Sequence, residues 1–150
     1  MADTDLIKLY SGRILELASD VPFTDRLDAP DATVKKRSPL CGSTVTVDVA
    51  LEDGRIVGFG QDVKACALGQ ASAAILGQHV IGRSQTEIEA ARDGLKAMLS
   101  GSDEVPLPPF DGYEVLIPAR DFKNRHASIM LALEATAEAM ETARQAQSCA

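Results

Sequence analysis

The chain of 150 residues, 45% of them hydrophobic, is long enough for one domain with one buried core, so we expect a single domain over residues 1–150. Its formal net charge of −7, from 15 basic and 22 acidic residues, disfavours a surface that follows a nucleic-acid backbone. An acidic N-terminus and the lack of any stretch of about twenty apolar residues disfavour a signal peptide and a membrane span, which predicts a cytoplasmic protein.

The N-terminal third predicts one helix followed by irregular chain. Apolar residues from Thr4 to Ala18 recur at a spacing of three to four, as on one face of an amphipathic helix. Residues 19–40 hold three prolines and show no periodicity, so they are expected to cross the surface without regular structure. A strand at about residues 33–38 is nevertheless expected, because two strands alone do not form a stable sheet.

A β-hairpin is predicted next. Residues 44–51 alternate polar and apolar side chains, which is typical of a strand with one buried face. The dipeptide Asp53-Gly54 and the apolar run 56–59 follow directly. This order predicts two antiparallel strands joined by a tight turn.

Two helices are predicted after the hairpin. Small and apolar side chains recur with helical spacing from Ala67 towards Gly82, where the helix is expected to end. Ser84 and Glu87 have the spacing of a capping box, and the helix that they open is expected to end before Gly101.

The C-terminal part is predicted to hold a loop and a long helix. Residues 101–118 contain four of the seven prolines, which predicts a loop, and a helical pattern runs from about Phe122 to Gln147. A tail at residues 143–150 is expected to be frayed. The order of helix, strands and helices predicts an α+β domain with helices packed on one face of a small antiparallel three-stranded sheet.

Cys66 is the residue best placed for chemistry, because the strand pattern stops there and a helix begins. A helix N-terminus offers unpaired N–H groups and the positive end of the dipole, both of which favour a thiolate, and Lys64 would act in the same direction. A buried, inert cysteine is the alternative interpretation.

Cys41 lies just before the first strand of the hairpin. Because a hairpin returns the chain, the end of its second strand lies beside the start of its first, so Cys41 and Cys66 are expected at the same end of the sheet. This reasoning leaves open whether the two thiols bind metal, accept sulfur or only pack. An odd total of three cysteines without an export signal argues against a disulfide framework.

Three segments have the motif pattern of one known family. Residues 39–42 (Pro-Leu-Cys-Gly) are similar to a Pro-x-Cys-Gly-Asp motif, residues 66–74 to a Gly-Cys-x-x-x-x-Ala-Ser-x-Ser helix start, and residues 119–128 to a segment with a third cysteine. Together they resemble the IscU, NifU N-terminal and SufU scaffolds of iron–sulfur cluster assembly, over roughly residues 5–142. The resemblance implies an IscU/SufU-like fold and a non-enzymatic scaffold or sulfur acceptor that works with a cysteine desulfurase and with cluster-accepting proteins.

The sequence departs from this family at two positions. The resemblance implies a site of three cysteines and one aspartate for zinc or a transient iron–sulfur cluster, but Ser43 stands at the aspartate position and Ser128 at the third-cysteine position. Neutral hydroxyls are poor ligands for zinc or ferrous iron. Only Cys41 and Cys66 are therefore carried over as ligands of metal or cluster.

The missing ligands leave several possibilities. His126 is the preferred extra ligand, because imidazole suits zinc and iron, while water, the tail residue Cys149 or a second subunit are the others. A relative that keeps the scaffold fold as a metal-free adaptor, or a redox pair of two cysteines, would need no metal or cluster. The absence of a Cys-x-x-Cys motif weakens the redox alternative.

Overall fold

A three-stranded antiparallel sheet forms the framework of the computed structural model, which describes residues 12–39 and 42–149. Its strands, in the order β1-β2-β3, are β1 (Ala32–Arg37), β2 (Thr44–Glu52) and β3 (Arg55–Lys64). The third strand that the sequence required near residues 33–38 is thus confirmed as β1.

The turn between β2 and β3 is the predicted tight turn. Asp53 and Gly54 both have a positive φ, of 54° and 77°, as the commonest two-residue hairpin turn requires at its central positions. Only glycine adopts this conformation without steric cost, and aspartate tolerates it. The ladder continues as far as the pair Thr44 and Lys64, so the end of β3 lies beside the start of β2.

Four helices are seen among the described residues. They are α1 (Gly12–Ala18), α2 (Ala67–His79), α3 (Gln85–Leu99) and α4 (Lys123–Cys149). The part of the first predicted helix from Thr4 to Ser11 lies outside the described residues. Helix α4 extends to Cys149 and so includes most of the tail at residues 143–150.

The predicted capping box at the start of α3 is present. The Ser84 hydroxyl accepts a hydrogen bond from the Glu87 backbone N–H at 3.2 Å, and the Glu87 carboxylate accepts one from the Ser84 N–H at 3.1 Å. These two bonds satisfy N–H groups that have no partner inside the helix.

The loop predicted for residues 101–118 is wrong in its second half. Phe110–Asp121 forms a run of 3₁₀ turns that includes Pro118. Its buried residues recur at a spacing of three, which places them on one side of a helix with three residues per turn: Phe110, Tyr113, Leu116 and Ala119. Burial of this stripe therefore gives a proline-containing segment a regular structure.

The helices pack on one face of the sheet, as predicted. Helix α4 lies against β1 and β2, and α2 and α3 pack against α4. The side chains of Val45, Val47 and Val49 point into this layer and are at most 1% exposed. None of the described helices combines the length and apolar composition needed to cross a membrane.

The opposite face of the sheet is partly covered by the irregular segment 20–31. Asp48, on this face, is fully buried and accepts hydrogen bonds from Arg26 at 2.6 and 3.0 Å, from the Leu27 N–H at 3.1 Å and from the Thr33 hydroxyl. Burial alone raises the pKa of Asp48, but the hydrogen bonds outweigh it and hold the pKa below its usual value. The segment is therefore fastened to the sheet by a charged cluster.

Candidate functional site

Cys66 lies at the N-terminus of α2, as its position in the sequence predicted. Its backbone is extended, with φ −67° and ψ 172°, and its side chain makes no capping hydrogen bond. Its carbonyl accepts the first helical bond, from the Gln70 N–H at 2.9 Å. The half-buried sulfur is in no disulfide, so it is free to interact with other groups.

The sulfur of Cys66 lies next to the Ser128 hydroxyl, which in turn contacts the hydroxyl of Ser43. Its Sγ is 3.7 Å from Oγ of Ser128, which donates a hydrogen bond of 3.0 Å to Oγ of Ser43. Ser128 is 1% exposed and Ser43 is 5% exposed. The fold thus brings together three of the four positions that the sequence motifs align with a ligand site, and the binding of metal there stays a prediction.

The thiol and the two hydroxyls can share their protons in more than one arrangement, because either atom of the Cys66–Ser128 contact can be the donor. In the arrangement in which Ser128 donates to Ser43, the Ser128 hydroxyl has no second proton and accepts from the thiol of Cys66. When Cys66 loses its proton, the Ser128 hydroxyl can rotate and donate to the thiolate instead. Ser128 is therefore a suitable hydrogen-bond partner for both protonation states of the sulfur.

Small side chains in α2 allow α2 to approach α4 at this point. A Cβ on Gly69 would lie 2.7 Å from the Ser128 hydroxyl oxygen and 2.7 Å from the Ala65 Cβ, which is too close for a side chain. One turn further on, the buried Ser72 hydroxyl donates a 2.6 Å hydrogen bond to the Ile129 carbonyl. The Tyr113 hydroxyl donates to the Ser72 carbonyl at 2.9 Å and fastens the 3₁₀ segment to the same helix.

A tight turn before β2 positions Ser43. The Ser38 N–H donates to the Ser43 carbonyl at 2.8 Å, and the Gly42 N–H donates to the Ser38 carbonyl at 3.1 Å. Gly42 has a φ of 70°, a conformation that side chains rarely adopt. Cys41 directly precedes Gly42 in the sequence but lies outside the described residues, so its predicted proximity to Cys66 stays a prediction.

The described donor set does not fit a resident zinc ion. A structural zinc site needs four donors of the thiolate, imidazole or carboxylate type, whereas Cys66 here has two neutral hydroxyls beside it. Within residues 12–39 and 42–149, no group of three His, Cys, Asp or Glu side chains could hold a metal ion. The ring nitrogen Nε2 of His126 is 3.0 Å from the Ala119 carbonyl oxygen, a contact that metal binding through that atom would break.

The residues that support the site were not singled out from the sequence. Gly69 and Ser72 were seen only as part of a helix rich in small residues, and Tyr113 fell in the predicted loop. The sequence signal that could have identified Gly69 and Ser72 is their small size and their spacing of nearly one helical turn. Small residues at this spacing are typical of a helix that packs closely against another. Their role depends on α4, which lies more than fifty residues away along the chain.

Comparison with known proteins places this geometry in a family. No model of a protein family matches the chain. The chain is 30% identical over 97 residues to the iron–sulfur cluster assembly scaffold protein IscU of Thermotoga maritima, covering 63% of this chain and 67% of that protein. It is 25% identical over 147 residues to the protein of the same description from Streptococcus pyogenes, covering 98% of this chain and 92% of that protein.

A solved structure agrees with this relationship. The crystal structure of a nitrogen-fixing NifU-like protein (N-terminal) from Brucella abortus is 39% identical, covers 94% of this chain and 98% of its own, and superposes with a TM-score of 0.90. The α+β fold with a three-stranded antiparallel sheet is common to this chain and that group of proteins. From the sequence identity, the coverage and the shared fold together, the chain belongs to the IscU/NifU-type family of iron–sulfur cluster assembly scaffolds.

Proposed function

We propose that this protein is an iron–sulfur cluster assembly scaffold whose Cys66 receives sulfur from a cysteine desulfurase. The observation that carries the proposal is the position of the Cys66 sulfur at the start of α2, beside Ser128 and Ser43, in a chain of the scaffold family. A half-buried thiol at a helix N-terminus, with a hydroxyl that can donate to it, is suited to act as a nucleophile. Cys41 is the second proposed ligand of the assembled cluster.

The transfer of sulfur to Cys66 balances without a reductant, and only the later release of sulfide needs one. The Cys66 thiolate attacks the outer sulfur of the persulfide on the desulfurase, a new S–S bond forms on Cys66, and the old S–S bond breaks to leave the desulfurase cysteine as a thiolate. Release of this sulfur as hydrogen sulfide takes two electrons, which two molecules of a small external thiol supply by becoming a disulfide, so that Cys66 and Cys41 stay reduced. Iron and sulfide then form the cluster, which is the cargo of the scaffold and passes to accepting proteins.

A metal-free adaptor is the second candidate function. It is favoured by the two neutral hydroxyls that stand where the resemblance implies a carboxylate and a thiolate, because hydroxyls hold iron poorly. Such an adaptor would bind the desulfurase through the same fold but would carry neither sulfur nor iron.

Anaerobic cluster assembly separates the two candidates. The protein is mixed with ferrous iron, L-cysteine and a purified cysteine desulfurase, and iron and acid-labile sulfide per chain are measured after desalting. A scaffold retains both, and Cys66→Ser or Cys41→Ser abolishes retention, whereas Cys149→Ser, the matched cysteine control, retains them. Desulfurase binding without iron or sulfide, unchanged by Cys66→Ser, would instead identify the adaptor.

A further inference from the structure

One end of the outer sheet face, the face opposite α4, is exposed and basic. The strand register places Arg37 opposite Thr44 and Thr44 opposite Lys64, so these three side chains lie on the same face. Lys35 lies two residues before Arg37 in β1 and therefore points to the same side. We call Lys35, Arg37 and Lys64, which are all exposed, the basic sheet face.

The charges of the basic sheet face are not paired with any carboxylate of residues 12–39 and 42–149. No described carboxylate forms an ion pair with Lys35, Arg37 or Lys64, whereas other basic residues do form such pairs. Asp62, which is also exposed on this face, acts electrostatically on Arg26, the partner of the buried Asp48. At this exposed end of the outer face, three positive side chains therefore lie with one negative side chain, that of Asp62, which leaves an excess of two positive charges on a chain whose net charge is −7.

The basic sheet face lies at the same end of the sheet as the Cys66 thiol. Lys64 precedes Cys66 by two residues, and Thr44 directly follows Ser43, whose hydroxyl is linked through Ser128 to the sulfur. The rest of the outer face is less open, because segment 20–31 covers Asp48 and a Cβ on Gly60 would lie 2.5 Å from the Asp25 carbonyl oxygen. A partner seated on the exposed end would thus also reach the rim that holds Cys66.

We propose that the basic sheet face docks an acidic surface of the protein that delivers sulfur to Cys66. The inference rests on the proposed function, because the sulfur donor must approach this end of the sheet. Unpaired positive charges on an otherwise acidic protein attract an acidic partner to one place and repel it elsewhere, which raises the association rate and orients the encounter. Three cations interrupted by Asp62 are too few for a nucleic acid, whose binding typically neutralises about six to ten phosphates.

Sulfur transfer from a purified cysteine desulfurase supplied with ³⁵S-labelled L-cysteine tests the proposal. The initial rate of labelling of Cys66 is measured against scaffold concentration at low and high ionic strength. The variant Arg37→Glu/Lys64→Glu reverses two charges of the basic sheet face, and Arg13→Glu/Lys96→Glu makes the same change in net charge at two exposed helix positions that are not part of that face. Thermal unfolding checks that each variant is folded, and Arg37→Gln/Lys64→Gln provides a milder change.

The expected labelling rates distinguish an effect of the basic sheet face from an effect of the net charge of the chain. For the unaltered protein, kcat/KM for labelling falls as salt rises, because salt screens the attraction. At low salt, Arg37→Glu/Lys64→Glu lowers kcat/KM by at least about tenfold and removes most of the salt dependence, the glutamine variant lies between, and the control stays within about twofold. The rate at saturating scaffold changes little, because the reacting sulfur is not altered.

Four results would overturn the docking proposal. Equal rates for the charge-reversed variant and the unaltered protein, or equal losses in the variant and its control, would mean that the face is not the docking surface. A dimer of this chain that the variant loses would assign the face to a second copy. If the unaltered protein accepts no label at all, the proposed function fails too, whereas labelling that ignores the charge reversal defeats the docking proposal alone.

Discussion

The Cys66 sulfur and the Ser128 hydroxyl lie 3.7 Å apart although they belong to two different helices. Cys66 is the residue directly before the first turn of α2, and Ser128 lies in the second turn of α4. The surroundings of the thiol are therefore set by how closely the two helices pack. A change that separates α2 from α4 should alter the chemistry of Cys66 without touching the cysteine.

The double variant Ser43→Asp/Ser128→Cys should bind zinc or ferrous iron more tightly than the unaltered protein. The two hydroxyls already lie 3.0 Å apart beside Cys66, so a carboxylate and a thiolate placed there would join the existing sulfur as ligands. We expect an affinity gain of at least about tenfold, because charged oxygen and sulfur donors replace neutral hydroxyls. Titration with a competing chelator measures it.

A matched control makes the same two substitutions at exposed serines. Ser19→Asp/Ser100→Cys adds one carboxylate and one thiol to the surface, away from each other in the chain, and should leave metal affinity unchanged. The absence of any gain in Ser43→Asp/Ser128→Cys would mean that these positions do not form a ligand set with Cys66.

Gly69→Ala should disturb both stability and the site. The new Cβ would meet the Ser128 hydroxyl and Ala65 at 2.7 Å, so α2 must move away from α4. Overpacking of this kind costs about 1–3 kcal/mol of unfolding free energy. Urea denaturation measures the loss, and cluster retention after anaerobic assembly should fall with it.

Gly112→Ala is the matched glycine control. A Cβ there would lie 3.9 Å from Ile75, an ordinary contact, so stability and cluster retention should be nearly unchanged. Equal behaviour of the two alanine variants would show that the close approach at Gly69 does not position Cys66.

Asp48→Asn should change how stability depends on pH. The pKa of Asp48 is below its usual value of 3.8 in the folded protein, so the unfolded chain takes up this proton first as the pH falls. The contribution of Asp48 is therefore complete at neutral pH and is lost as the pH falls from about 5 through the folded-state pKa. At pH 7 the variant should be less stable by about 2 kcal/mol, because the bonds to Arg26, Leu27 and Thr33 lose a charged acceptor.

The measurement is the free energy of unfolding in urea at several pH values. The unaltered protein should lose more stability between about pH 5 and pH 3 than Asp48→Asn does. Asp103→Asn, which changes an exposed aspartate, is the control and should leave the pH dependence of the unfolding free energy unchanged. Parallel pH curves for the unaltered protein and Asp48→Asn would contradict the role assigned to the charged cluster.

The strands, the hairpin turn and the capping box were predictable because their signals are local. Residues 44–51 alternate in sequence as they do in the sheet, and Asp53-Gly54 and Ser84 with Glu87 need only a few neighbours to be recognised. The 3₁₀ run was missed because four prolines in residues 101–118 were taken as a loop signal. A search for apolar residues at a spacing of three, rather than three to four, would have found it.

Contacts between segments that are distant in the sequence were harder to predict from the sequence. Asp48 occupies a polar position of an alternating strand, where an aspartate is usually exposed, and its partner Arg26 is 22 residues away. Cys66 was placed at a helix start by the local pattern, but its proximity to Ser43 and Ser128 followed only from the family motifs, because no periodicity connects residues 62 and 85 positions apart. The position of Cys41 relative to Cys66 stays a prediction.

Transfer of a cluster to a purified apo-ferredoxin tests the scaffold function most directly. The protein, loaded anaerobically with iron and sulfide, is mixed with the apo-ferredoxin in the presence of a chelator that removes free iron, and the circular dichroism of the holo-ferredoxin is followed. We predict that the loaded protein converts the acceptor and that Cys66→Ser, taken through the same loading, does not. Conversion at the same rate with Cys66→Ser, or with iron and sulfide alone, would contradict a scaffold built on Cys66.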